Sequence, residues 1–246
     1  MSRLAIVAAL PTLALMVCAA CSSAPGAPRA GSEVVPPSEV VEFSALYGQN
    51  CAGCHGANGK GGAAIALANP VFLAIADDTV IRRTAANGVP GTSMPAFAQS
   101  AGGMLTEKQI DALMRGIRSW AKPDALRNQT PPSYIAKDLG DPQRGADAYR
   151  TYCSSCHGPD GHGGTKASSI VDGSYLALVS DQQLRTIVIA GRPELGAPDW
   201  RGDVEGRPMS AQEVSDLVAW LSSQRPKLPG QPYPIASTKP ANGGSR

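Results

Sequence analysis

Two pentapeptides concentrate the chemistry of this chain: Cys51-Ala52-Gly53-Cys54-His55 and Cys153-Ser154-Ser155-Cys156-His157. Cysteines separated by two residues lie about one turn apart, so both thiols face one object and the adjoining histidine brings an imidazole to it. The pattern suits covalent attachment of a haem. Each thiol adds to one of the two porphyrin vinyl groups, and the histidine ligates the iron from the proximal side. A single copy is also compatible with a thioredoxin-like redox pair or half a zinc site. A four-cysteine zinc site, however, leaves the histidine after each pair unexplained. Cys51, Cys54, Cys153 and Cys156 are therefore the expected attachment residues of two covalently bound haem c groups, with His55 and His157 as proximal ligands.

Both pentapeptides sit in an internal repeat. Tyr47 and Tyr149 each precede the first cysteine by four positions, and the glycine-rich run 56–62 parallels 158–164. Phe72-Leu73-Ala74-Ile75 parallels Tyr175-Leu176-Ala177-Leu178, and Ile81-Arg82 parallels Leu184-Arg185; the offset is 102 at the cysteines and 103 at these positions. Each copy closes on an amphipathic run, 106–120 and 210–221. Thr106 and Ser210 are the expected N-caps, and Ser210 with Glu213 fits a capping box. Arg82 and Arg185 read either as partners for haem propionates or as members of a solvated helix face. Trp120, Trp200 and Trp220 read as packing residues at haem edges or in the helical core.

Each copy resembles a class I cytochrome c domain of the small type found in cbb3 oxidase subunits: an N-terminal helix running into Cys-x-x-Cys-His, a glycine loop, middle helices, a Met-Pro loop and a C-terminal helix. The resemblance covers residues 38–122 and 141–225. It implies an all-α fold of two tandem class I cytochrome c domains, each wrapped on one covalent haem, joined by a linker at 123–140 and followed by a disordered Pro- and Gly-rich tail at 226–246. In this family the distal ligand is usually Met, whose thioether favours ferrous iron and raises the potential. The stretch Gly88-Val89-Pro90-Gly91-Thr92-Ser93-Met94-Pro95-Ala96-Phe97 matches the Met-Pro loop and names Met94; Met104 and Met114 are the alternatives. In the second copy, Gly191-Arg192-Pro193-Glu194-Leu195-Gly196-Ala197-Pro198-Asp199-Trp200 puts Ala197 at the Met94 position, and alanine cannot bind iron. Three readings stay open there: Met209, which aligns with Leu105; His162, which aligns with Lys60; and an iron left five-coordinate or water-bound.

The remaining composition is consistent with this reading. A chain of 246 residues holds one or two domains, and 43% hydrophobic with 17% charged residues excludes a fully disordered one. Three Phe, six Tyr and three Trp supply few rings for two cores, a shortage that a bound haem offsets. A net charge of +2 with no Lys/Arg run argues against a nucleic-acid partner. Residues 1–20 read as a signal peptide, with Arg3 followed by the apolar run Leu4 to Val17, which is shorter than the ~20 residues that span a bilayer. Leu15-Met16-Val17-Cys18-Ala19-Ala20-Cys21 resembles a bacterial lipobox. Ala20 before the cysteine favours Cys21 over Cys18 as the lipid-bearing residue, and 21–37 reads as a flexible tether. The expected location is the bacterial periplasm, lipid-anchored through Cys21, with plain secretion as the alternative. No other segment is long and apolar enough to cross a membrane. The chain thus reads as an electron carrier that needs no catalytic acid, base or nucleophile, its partners being a quinol-oxidising complex, a terminal oxidase or a periplasmic dehydrogenase. The alternative is a haem enzyme or ligand sensor acting at a five-coordinate second iron.

Overall fold

A computed structural model describes residues 34–202 and 204–227. The signal segment, Cys18 and Cys21, the tether up to residue 33 and the tail from residue 228 lie outside the described residues. Among the described residues the structure is helical and contains no β-strand, as the all-α expectation requires.

Five helices of the first half recur in the second. In the first they are α1 (Phe43–Asn50), α2 (Ala52–His55), α3 (Pro70–Ile75), α4 (Asp78–Asn87) and α5 (Glu107–Arg118); in the second, α6 (Pro142–Tyr152), α7 (Ser154–His157), α8 (Gly173–Leu178), α9 (Asp181–Ala190) and α10 (Ala211–Ser223). Short polar residues start them by accepting orphan N–H groups. Asn69 caps α3, Asp77 caps α4, Asp141 caps α6, Asp172 caps α8 and Ser180 caps α9. Capping boxes open both closing helices. Ser210 pairs with Glu213 as expected from the sequence, and Thr106 pairs with Gln109, a box closed by Gln rather than Glu.

Helices of this length are marginal alone, so packing holds them. In the first half α1 crosses α5: Trp120 meets the Phe43 and Tyr47 rings edge-on at centroid distances of 5.2 and 5.1 Å, over a buried layer that includes Leu46, Ile110, Leu113 and Ile117. In the second half α6 packs along α10, and Tyr149 stacks on Trp220 at 4.4 Å. The buried carboxylate of Asp216 on α10 ties the start of α6 down. It accepts the Asp141 N–H at 2.7 Å, the Arg144 Nε and Nη2 at 2.8 Å each, and Gln212 at 2.8 Å.

The two repeated arginines differ. Arg82 pairs with Glu107 and Asp111 at 2.8 Å on an open helix face, the solvated role. Arg185 departs from both sequence readings, because its guanidinium is buried and donates to the Ser133 and Tyr134 carbonyls at 3.0 and 3.2 Å and to Ser215 Oγ at 3.1 Å. Arg201 likewise reaches the Leu126 and Ala125 carbonyls at 3.1 and 3.3 Å. The segment joining the two halves is thereby strapped to the second. Finally, α9 lies against α3, where Asn69 Nδ2 donates to the Ala190 and Gly191 carbonyls at 2.9 and 3.3 Å.

Candidate functional site

Each cysteine motif forms a tight turn between a long helix and a glycine. Cys51 ends α1, its N–H bonded to the Tyr47 carbonyl at 2.9 Å, and its own carbonyl accepts the His55 N–H at 2.9 Å. The second copy repeats this geometry: Cys153 N–H to Tyr149 O at 2.9 Å and His157 N–H to Cys153 O at 3.0 Å. A glycine in positive φ then stops the turn, Gly56 at 82° and Gly158 at 81°. A side chain at Gly56 would put a Cβ 1.7 Å from the Lys60 carbonyl oxygen, so the loop closes only on glycine. None of the four motif cysteines is in a disulfide; Cys54 is exposed and the others are half-buried. Burial, with the neighbouring Cys54, pushes the Cys51 thiol up to about 11.

The two histidines are held alike. His55 Nδ1 lies 2.7 Å from the Ile65 carbonyl, and His157 Nδ1 lies 2.7 Å from the Ser168 carbonyl. A carbonyl only accepts, so each Nδ1 carries a proton, and Nε2 is the ring nitrogen left to offer a lone pair to a metal. Metal-ligating histidines are oriented this way, by a second partner on the other ring nitrogen. Burial lowers the His55 pKa, the bond to Ile65 opposing it and the charge of Arg192 adding to it, which favours the neutral ligating form. Two thiols one turn apart beside an oriented imidazole are the donor set that haem c requires, so the residues present fit that group in both halves.

The loops after α4 and α9 have one backbone design and different side chains. Val89 N–H donates to the Met94 carbonyl at 3.0 Å, and Arg192 N–H donates to the Ala197 carbonyl at 2.9 Å. The Phe97 N–H returns to the Ala86 carbonyl at 3.1 Å, as the Trp200 N–H returns to Ile189 at 3.1 Å. Ala197 therefore stands where Met94 stands in space as well as in sequence. Met94 is half-buried on its loop, whereas Met104 is 82% exposed and Met114 packs in the core on α5. Met209 bonds its N–H to the Trp200 carbonyl at 2.8 Å, as Leu105 does to Phe97 at 2.7 Å, and both side chains are buried in the core. His162 is exposed on the glycine loop.

Sequence reasoning missed the contacts between the halves at this point. Arg192, in the second-half loop, donates from Nη2 to the Gly62 carbonyl at 2.8 Å and from Nε to Glu194 at 2.6 Å. Its counterpart Val89 has no polar side chain, and that asymmetry within the repeat was the available signal.

The family model described as cytochrome c oxidase, cbb3-type, subunit III matches residues 39–115 and 140–221. The cytochrome bc1 complex cytochrome c subunit of Mycobacterium tuberculosis (strain ATCC 25618 / H37Rv) is 28% identical over 186 residues, which are 72% of this chain and 60% of that protein. The cbb3-type cytochrome c oxidase subunit CcoP of Azospirillum sp. (strain B510) is 32% identical over 138 residues, 52% of this chain and 41% of that one. This chain thus spans 60% of the length of the first relative and 41% of the second, under two thirds of either. Among solved structures, the Kuenenia stuttgartiensis reducing HAO-like protein complex aligns at a TM-score of 0.42 and 21% identity, covering 78% of this chain and all of that one.

Proposed function

The chain belongs to the cbb3-type cytochrome c oxidase subunit III family, and from that premise we propose that it is a two-haem c-type cytochrome passing single electrons between redox partners of the bacterial envelope. The observation that carries the reading is the pair of histidines, each with Nδ1 committed to a backbone carbonyl at 2.7 Å and each directly following a Cys-x-x-Cys pair. When bound, haem c supplies reversible one-electron chemistry at iron. The chain's own part is to hold and tune it. Cys51 with Cys54 and Cys153 with Cys156 fix the two groups, while His55 and His157 present Nε2 as proximal ligands. In the first half Met94 offers a thioether, a soft donor that favours the reduced iron. No proton-transfer residue is needed for this task.

We assign the haem domains to 38–122 and 141–225 with 123–140 as linker, the signal to 1–20, the tether to 21–37 and the tail to 226–246. Export to the periplasm, with a lipid on Cys21, is part of the same reading and is supported by the lipobox-like run before that residue. A quinol-oxidising complex or a terminal oxidase is the partner class that the relatives suggest; a periplasmic dehydrogenase is a third. The test is a haem count on the full chain produced in a host with haem-attachment machinery. Two haems per chain retained through denaturing electrophoresis are expected, and none would remove the proposal. Cys21→Ser should release the protein from membranes.

A second reading concerns the second iron. Ala197 shares Met94's backbone register and Met209 fills the slot of Leu105, so we propose that no methionine closes the distal side there and that a small neutral ligand can bind. Carbon monoxide uptake by one haem in two of the reduced protein is the expected result. No uptake would rule this reading out.

A further inference from the structure

The loop that lacks a methionine in the second half meets the first half at its attachment turn. Arg192 lies on that loop, is 9% exposed, and sends Nη2 across to the Gly62 carbonyl at 2.8 Å while Nε holds Glu194 at 2.6 Å. Gly62 is itself pressed onto the attachment turn: a Cβ there would fall 2.1 Å from the Cys54 carbonyl oxygen and 2.6 Å from the Gly56 nitrogen. Beside it, Asn69 clamps the end of α9 through the Ala190 and Gly191 carbonyls. Val89, the corresponding residue of the first half, has no polar side chain to offer the second half in return.

We infer that Arg192 is a positioning residue for the first haem although it belongs to the second half, fixing the loop behind Cys54 and holding a positive charge against the first attachment turn so that the second half sets the first half's reduction potential. The inference rests on the haem reading above. A cation held where water is scarce favours the iron state of lower positive charge and raises the potential. Glu194 opposes it as the paired anion, so the two residues act on the potential with opposite signs. A loop freed from supplying a distal ligand has thus become the contact through which one haem site tunes the other.

The test is a spectroelectrochemical titration of the full chain with both haems attached, comparing wild type with Arg192→Gln, Arg192→Lys and Glu194→Gln. The first haem is followed by its Met–iron charge-transfer band. Arg192→Gln should make the ferrous-to-ferric ratio of the first haem at a fixed ambient potential fall about tenfold, which is 59 mV for one electron. Glu194→Gln should raise that ratio, and Arg192→Lys, which keeps the charge but not the fork, should stay within about threefold of wild type. If Arg192→Gln lowers stability while leaving the first-haem potential in place, the residue is only a structural strap and the inference fails. An equal shift of both haems also overturns it. Should Arg192→Gln not fold, an unmoved first-haem potential in Glu194→Gln decides against it. Absence of covalent haem in wild type would be a failure of the underlying reading, seen before any titration begins.

Discussion

The Tyr47 hydroxyl donates to the carbonyl of Gly56 at 2.9 Å, closing the attachment turn from the helix that leads into it. Tyr149 makes the same bond to Gly158. Burial, helped by the neighbouring Cys51, pushes the Tyr47 hydroxyl up to about 12, so it stays a donor through neutral and mildly alkaline pH. The tyrosine four residues before each motif is therefore part of the turn's construction as well as a marker of the repeat.

Replacing Tyr47 by Phe keeps the ring against Phe43 and Trp120 and removes only this bond. The expected cost is about 1 kcal/mol. Tyr47→Ala, which also removes the ring, should cost about 3–5 kcal/mol. Urea unfolding of the full chain measures both, and Tyr149→Phe should match Tyr47→Phe. A Phe variant as stable as wild type would mean that the hydroxyl bond contributes nothing net.

Acid should unfold the protein partly through Asp216. Burial alone raises its pKa, yet the bonds from Arg144, the Asp141 N–H and Gln212 outweigh burial and hold the carboxyl below its ordinary range. A carboxyl with a depressed folded pKa contributes stability that is present above the unfolded value of ~3.9. That stability disappears as pH falls through the folded pKa. Asp216→Ala should cost about 1–3 kcal/mol at neutral pH, because it leaves the Asp141 N–H at the helix start without its acceptor. Asp216→Asn should cost less and flatten the loss of stability below about pH 4. The check is the unfolding midpoint followed from pH 7 to pH 3. A variant whose acid limb coincides with that of wild type would exclude Asp216 as a contributor.

Local features were legible in the sequence. The closing helices with their Thr106 and Ser210 caps, the Ser210–Glu213 box and the turn around each cysteine pair follow from residue types and spacing over a few positions, while the helix order came with the family resemblance. The contacts that join distant segments were not. Arg185 and Arg82 occupy the same repeat position with the same chemistry, yet one is buried against Ser133 and Tyr134 and the other pairs with Glu107 on the surface. Nothing local to either residue distinguishes them, because the difference lies in what the linker does some 50 positions away. Arg192 is a similar case, since its partner Gly62 is 130 positions distant. The aligned repeat did record that Val89 had become Arg192, and a change from an apolar to a cationic residue at a fixed register position marks a contact one half has and the other lacks.

Arg185 supports the joining segment through two carbonyl acceptors, Ser133 and Tyr134, and removing it should loosen that segment before it unfolds either half. Arg185→Met leaves the Ser133 and Tyr134 carbonyls without their charged donor, a loss of about 1–3 kcal/mol. Limited proteolysis should then cut within residues 123–140 several times faster than in wild type, since cleavage follows the population of the locally open form. Equal cleavage rates would show that the linker is held by its other contacts.

Ala197 and Met94 share one backbone position, so a single substitution should transfer the first half's distal chemistry to the second. Ala197→Met puts a thioether where Val89 and Met94 pair in the first half and Arg192 and Ala197 pair in the second. Bound through that sulfur, the second haem should lose its carbon monoxide uptake and rise in potential, because the thioether favours the reduced iron. Met94→Ala should do the reverse, giving uptake by both haems and a lower potential at the first. Met209→Leu should leave carbon monoxide uptake unchanged and cost less than about 1.5 kcal/mol of stability, as volume-conserving swaps in a core do. The set separates the two methionines cleanly. If Met209→Leu opened a second haem that had been closed to carbon monoxide, Met209 would be the ligand and the open-site reading of the second iron would fail.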